Sequence, residues 1–168
     1  MNALKIAAAA LTLVAGVASA TSYNLGTFNG PGTASFDSTV NPGGLFQDDY
    51  SFTLGQQSWV AASVTNVFFQ FGLTEFNYIS NFTVTLNGTP VPISTSVVGT
   101  NVLVQTAAGV TNLGAGSYVL SVAGVNNNAG TVSYGGNLAV TPVPEPESMA
   151  LMLSGLVGVA YMRRRQKN

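Results

Sequence analysis

The chain has 168 residues, a net charge of −1, and neither cysteine nor histidine, which removes disulfides, thiol nucleophiles, imidazole bases and zinc sites together. Every lysine and arginine lies near one end or the other: Lys5, Arg163, Arg164, Arg165 and Lys167. Residues 21–141 carry four acids, Asp37, Asp48, Asp49 and Glu75, and no base, so this stretch has no means of binding nucleic acid and no side-chain salt bridge.

Lys5, the apolar run from Ile6 to Val17 and the small residues Ala18, Ser19 and Ala20 have the layout of a secretory signal peptide over residues 1–20. Signal peptidase is expected to read Ala18 and Ala20 and to leave Thr21 as the new N-terminus. The run is too short for an anchor helix and lacks a stop-transfer cluster. Residues 21–141 then form one domain of about 120 residues, enough for a hydrophobic core of its own.

Its composition, rich in Val, Thr, Ser, Tyr, Phe, Asn and Gly, predicts an all-β fold. Strands are expected over 23–28, 32–36, 49–54 and 59–67, followed by 77–86, where Phe82, Val84 and Leu86 alternate with Thr83 and Thr85. Asn87-Gly88 is the strongest hairpin signal in the chain. The return strand with Val91 and Ile93 contains Pro90 and Pro92, each without a ladder donor, and is placed at a sheet edge. Further strands are expected over 97–105, 116–125 and 130–140. Thr106 to Leu113 is read as a longer crossover, Asn126 to Asn128 as a turn, and Gly135-Gly136 as a bend. Eight or nine short strands with regular turns predict a single two-sheet β-sandwich, jelly-roll in topology.

Leu45 to Leu54 alternates Phe46, Asp48, Tyr50 and Phe52 on one face. The three aromatics are expected in the core, with Asp48 capping a loop at the strand start and satisfied by backbone donors. Calcium is the alternative for the acids: Asp48 and Asp49, with Asp37 and Asn41, are the hard oxygen ligands available, although no DxDxDG spacing supports it. No cofactor is expected. A paired-carboxylate glycosidase would need two acids flanking one cleft; Asp48 with Glu75 is the pair on offer, and two unrelated acids is the reading adopted. Trp59, Tyr23, Tyr50, Tyr78, Tyr118 and Tyr134 could supply a sugar-stacking face, with core packing as the default. The single Thr83-x-Thr85 pair is not the repeated array that ice binding needs.

Residues 142–168 differ in kind. Val143, Pro144, Glu145 and Pro146 precede an apolar run from Met149 to Met162, and a basic end follows over 163–167. As a helix the run spans roughly 21 Å, short of the about 30 Å of a hydrocarbon core. A transmembrane helix is still open to it through arginine snorkelling and local thinning, with Arg163, Arg164 and Arg165 on the cytoplasmic side. Ser148 is expected as its N-cap, Pro144 and Pro146 outside it, and Ser154, Gly155 and Gly158 form a smooth face.

In that order at the C-terminus, these parts resemble the PEP-CTERM sorting signal, also catalogued as the ice-binding protein C-terminal domain. The resemblance implies export in a Gram-negative bacterium, transient inner-membrane anchoring, and recognition by an exosortase, a membrane-embedded cysteine-type transpeptidase, with removal of the tail near Pro144 to Pro146. The run Phe46, Asp48, Tyr50, Phe52 resembles the FxDxF subgroup, with Tyr50 in place of the second Phe, and is similar to bacterial pre-peptidase C-terminal domains, which are β-sandwiches. The expectation is an exported, non-enzymatic protein of the cell surface or the extracellular, biofilm-associated matrix, with exopolysaccharide as a candidate partner. A carbohydrate- or calcium-binding module is the alternative.

Overall fold

The computed structural model describes residues 19–144 and 146–165. Eleven strands and one helix follow in order: β1 (Ser19–Phe28), β2 (Gly32–Val40), β3 (Gly44–Leu54), β4 (Ser58–Phe71), β5 (Thr74–Phe76), β6 (Ser80–Leu86), β7 (Thr89–Pro90), β8 (Ile93–Val97), β9 (Val102–Leu113), β10 (Gly116–Asn126), β11 (Val132–Pro142) and α1 (Pro146–Arg165). One sheet has the order β1-β3-β10-β6-β7 and the other β2-β11-β4-β9-β8, with β5 paired to β4. Within them β2-β11-β4-β9 faces β3-β10-β6-β7, the two antiparallel halves of a jelly roll. β1, parallel to β3, and β8, antiparallel to β9, extend one edge of each sheet.

Period-2 alternation builds the core. Phe46, Tyr50, Phe52 and Leu54 of β3 point inward, with Leu120 and Val122 of β10 and Phe82 and Val84 of β6. Val60, Ala62 and Val64 of β4, Leu138 and Val140 of β11, and Phe36 and Val40 of β2 meet them from the other sheet. With no disulfide and no ion pair available to the domain, this apolar layer and the ladders hold it.

Asn87 and Gly88 form the expected hairpin turn, with φ of 48° and 78°. The turn also docks: the Asn87 N–H donates to Val119 O, and Val119 N–H to Asn87 Oδ1, both at 2.9 Å. Pro90 lies on the outermost strand of its sheet, and at Val91-Pro92 the chain crosses to the edge of the other, which is where strands lacking donors are tolerated.

Four local expectations are corrected, and one hairpin is added to them. Residues 97–105 are not one strand: Val98 to Asn101 turn the chain, and the Val98 N–H donates to Val102 O at 2.9 Å. Thr106 to Leu113 is no crossover but most of β9, paired with β4 from Ser58↔Leu113 to Phe69↔Val102; a long partner strand overrides the weak propensity of Ala107, Ala108 and Gly109. The β4-β5 hairpin went unread although Gly72, at φ 64°, takes the first central position of a two-residue loop. Asn126 to Asn128 do turn the chain, yet through side-chain bonds rather than left-handed backbone.

Gly135 and Gly136 make no bend either; both lie inside β11. A Cβ at Gly136 would overlap Phe36 Cζ and stand 2.8 Å from Ser63 O. The Phe36 ring cannot retreat, because it packs on Tyr50 with centroids 4.1 Å apart. Gly136→Ala is therefore expected to destabilise the sandwich by about 2 kcal/mol, as overpacking does. Chemical denaturation checks this, and a loss under about 0.5 kcal/mol would contradict the packing account.

Candidate functional site: the C-terminal segment and the buried carboxylate

β11 continues to pair with β4 to the edge of the sorting segment. Val140 faces Val60, Thr141 faces Trp59 and Pro142 faces Ser58. One step further, the Val143 N–H donates to Gln57 O at 2.9 Å. On its other side β11 has already lost its neighbour, since β2 starts at Gly32 opposite Val140, so the missing N–H of Pro142 leaves no ladder bond unmade. An open recess of about 510 Å³ lies here, bounded by Pro31 and Gln56 of the sandwich and by Val143, Pro144 and Ser148. Glu145 lies outside the described residues.

Helix α1 starts at Pro146, so two expectations change: this proline is within the helix, and Ser148 stands in the first turn rather than capping it. Proline suits a first helical position, where its N–H would have no acceptor, and Glu147 beside it favours the positive helix end. The helix has 20 residues, roughly 30 Å. Among the described residues its large apolar side chains, Met149, Leu151, Leu153, Leu156, Val157 and Met162 with them, are more than half exposed. A helix apolar on every side belongs in apolar surroundings. Even so, no described helix is long and apolar enough to cross a membrane, because Glu147 and the arginines take up its ends. The transmembrane expectation is corrected to that extent. Arg163 and Arg164 are exposed; the Arg165 side chain, Lys167 and Ala18 lie outside the described residues, while Ala20 stands in β1 opposite Gln47.

A second cluster lies in the core. Asp48 is 4 % exposed, in the middle of β3 rather than in a loop. Its donors are hydroxyls of the facing sheet, not backbone amides: Ser38 Oγ at 2.8 Å and Tyr134 Oη at 2.5 Å, both to Oδ2. Tyr134 in turn accepts from Tyr50 Oη at 2.9 Å, since its own proton is given to Asp48. Burial pushes the Tyr50 hydroxyl up to about 12; the nearby Asp48 charge adds to this and the bond to Tyr134 partly offsets it. Burial raises Tyr134 further, and its bond to the Asp48 carboxylate holds its proton in place. The cluster stores a carboxylate without a counter-cation and exposes no reactive group. Tyr134 and Ser38 were not read from the sequence as its partners. Their inward positions follow from alternation, but nothing local says which strands face β3.

The remaining acids do not converge. Asp49 points away from Asp48 on the opposite face of β3 and accepts from Gln47 Nε2 at 3.1 Å. Asp37 is exposed on β2 and Glu75 on the β4-β5 hairpin. The calcium set proposed from Asp48 and Asp49 is thereby separated, as is the Asp48–Glu75 pair, by strand alternation and by distance along the fold. Among the described residues no group of three or more acids is placed to hold a metal ion. The six aromatics share no face. Tyr50 and Tyr134 are in the core, Tyr78 packs at a tilt on Phe68, Tyr118 stacks on Phe52 and Tyr23 on Tyr50, while Trp59, 49 % exposed, lies on the outer face of β4.

Comparison with solved structures finds the pre-peptidase C-terminal domain of collagenase from Bacillus anthracis, 17 % identical over 71 % of this chain and 94 % of that one, with a TM-score of 0.40. It also finds PliG of Aeromonas hydrophila, a periplasmic inhibitor of g-type lysozyme, 12 % identical over 74 % and 99 %, with a TM-score of 0.37. At these scores neither supports a conclusion about this chain. No curated protein matches. What is specific lies at the end of β11 and in α1: residues 142–165 match the PEP-CTERM protein-sorting motif, and the chain carries that motif at its C-terminus.

Proposed function

We propose that this protein is an exosortase substrate: it is exported by its N-terminal signal, held at the inner membrane through α1, cut near Val143 to Pro146, and delivered to the cell surface or extracellular matrix as a non-enzymatic component. The observation that carries this reading is the sorting motif over residues 142–165, realised as a short extended segment, a helix apolar on all sides and a terminal arginine cluster. A helix this short engages a membrane by letting Arg163 and Arg164 reach the headgroups while its apolar turns stay in the hydrocarbon or against a membrane enzyme. A structural role is supported by the separated acids and by a domain with no His, Cys, Lys or Arg, which lacks the usual bases and nucleophiles. The inward run Phe46, Asp48, Tyr50, Phe52 supports placement in the FxDxF subgroup.

One observation favours a second reading, weak contact with a neutral glycan. Trp59 is a half-exposed ring whose register partners are Asn112 and Thr141, with the Gln57 amide bonded to Asn112 at 3.0 Å. An aromatic face beside amides and a hydroxyl suits a pyranose ring.

Intact mass of the protein from envelope and medium of its native host, with and without exosortase, tests the main reading. The expected product starts at Thr21 and ends between Val143 and Pro146 only when the enzyme is present. A chain still ending at Asn168 in both strains would overturn it.

A further inference from the structure

The sorting segment has no spacer between it and the folded domain. Thr141 and Pro142 are still in register with Trp59 and Ser58, and Val143 is bonded to Gln57 O. α1 begins at Pro146. Only Pro144 and Glu145 lie between the last ladder residue and the helix, and two residues reach at most about 7 Å. Enzymes that cut or transfer peptides grip an extended strand of several residues through its backbone N–H and C=O groups, as in strand addition. Two residues are too few.

The missing length must come from the helix or from the strand. Unwinding the first turns of a helix at a membrane bares backbone groups where water is scarce, at several kcal/mol for each group left unpaired. Releasing the strand costs far less. Pro142 and Pro144 have no N–H, so between Thr141 and Glu145 the segment donates a single backbone bond to the sandwich, that of Val143. With the Thr141–Trp59 ladder pair also to be opened, each such bond holds by about 1 kcal/mol. Beyond Val140 there is also no β2 partner to undo.

We propose, on the reading of the protein as an exosortase substrate, that residues Gln57–Trp59 are a latch that holds Thr141–Val143 in the sheet, and that processing takes place only from conformers in which this end of β11 has peeled from β4. Gln57, Ser58 and Trp59 are positioning residues in this scheme. They touch the substrate segment of their own chain and set how often it is presented, so the rate of processing follows the opening of the β4–β11 end. The two prolines keep the latch weak without removing it.

Ser58 and Pro142 supply the test. They are a directly opposed pair, and because the ladder bond runs between Gln57 and Val143, they stand at a non-hydrogen-bonded position where facing Cβ atoms are close. The full chain carrying Ser58→Cys and Pro142→Cys, expressed in its native host, is expected to form this crosslink on export. The oxidised species should keep its tail, with processing at least tenfold slower than in the same variant after a membrane-permeant reductant. A four-residue Gly-Ser spacer between Pro142 and Val143 is the second arm and is expected to speed processing several-fold. Cleavage of the verified crosslinked species at the reduced rate, or a spacer chain processed no faster than the unmodified one, would overturn the latch. If the unmodified chain is never processed, the failure belongs to the exosortase reading instead.

Discussion

Between pH 10 and pH 12 the sandwich is expected to lose stability steeply and to unfold cooperatively. In the unfolded chain Tyr50 and Tyr134 ionise at the ordinary tyrosine value near 10. In the folded protein burial holds Tyr50 up to about 12 and Tyr134 higher still. Below pH 10 both tyrosines are neutral in both states, and they give no pH dependence. Above it the unfolded state binds fewer protons than the native one, so stability falls as pH rises, by about 1.4 kcal/mol per pH unit for each group. By pH 12 the two together remove about 5 kcal/mol, at the lower end of the total stability of a domain. Thermal melts at half-unit steps, read with tyrosinate absorbance, check this. Tyr134→Phe should halve the slope whatever its effect at neutral pH. A melting temperature flat from pH 9 to 11.5, or a slope unchanged in that variant, would show that the hydroxyls are not sealed in the core.

Asn126→Ala is expected to cost about 3 kcal/mol. The Asn126 side chain is fully buried, and its Nδ2 donates to Val40 O at 3.1 Å and to Gly130 O at 3.0 Å. Its Oδ1 accepts from Asn128 N–H at 2.9 Å. One amide thus ties the end of β2 to the turn between β10 and β11. Alanine takes the Asn126 donor from the buried Val40 carbonyl and from the partly buried Gly130 carbonyl, and a buried group left unpaired costs about 1–3 kcal/mol. Asn126→Asp, nearly the same shape, should be worse, because it sets a carboxylate oxygen against those carbonyls and no cation exists in the domain to offset it. Urea denaturation of both variants gives the order. Aspartate tolerated better than alanine would place the stabilisation somewhere other than in the two donated bonds.

Both predictions rest on groups whose residue types the sequence displays and whose partners it hides. Asp48 was legible as an inward acid from the alternation of Phe46, Tyr50 and Phe52, and the turn at Asn126 from its run of asparagines. The donors were not. Tyr134 lies 86 residues from Asp48, and Ser38 and Tyr134 reach it only because β2 and β11 lie across the core from β3. Thr106 to Leu113 fails for the same reason in reverse. Its alanines and glycine have little strand propensity, and they extend because β4 offers a partner along their whole length. The Asn87-Gly88 turn, by contrast, depends on two adjacent backbones, and its positive φ values follow from those residues alone.

By itself the sequence determined the class of the fold, the inward face of most strands, the absence of any cation to neutralise a core acid, and the sorting segment at the C-terminus. These follow from periodicity, composition and motifs, which are written within a few residues of one another. Only the tertiary structure decided that the acids do not converge, that hydroxyls from the facing sheet satisfy Asp48, and that Val143 is tied to Gln57. Each is a meeting of residues far apart in the chain, and its geometry comes from strand order and register, which burial of the whole core selects and no local pattern encodes.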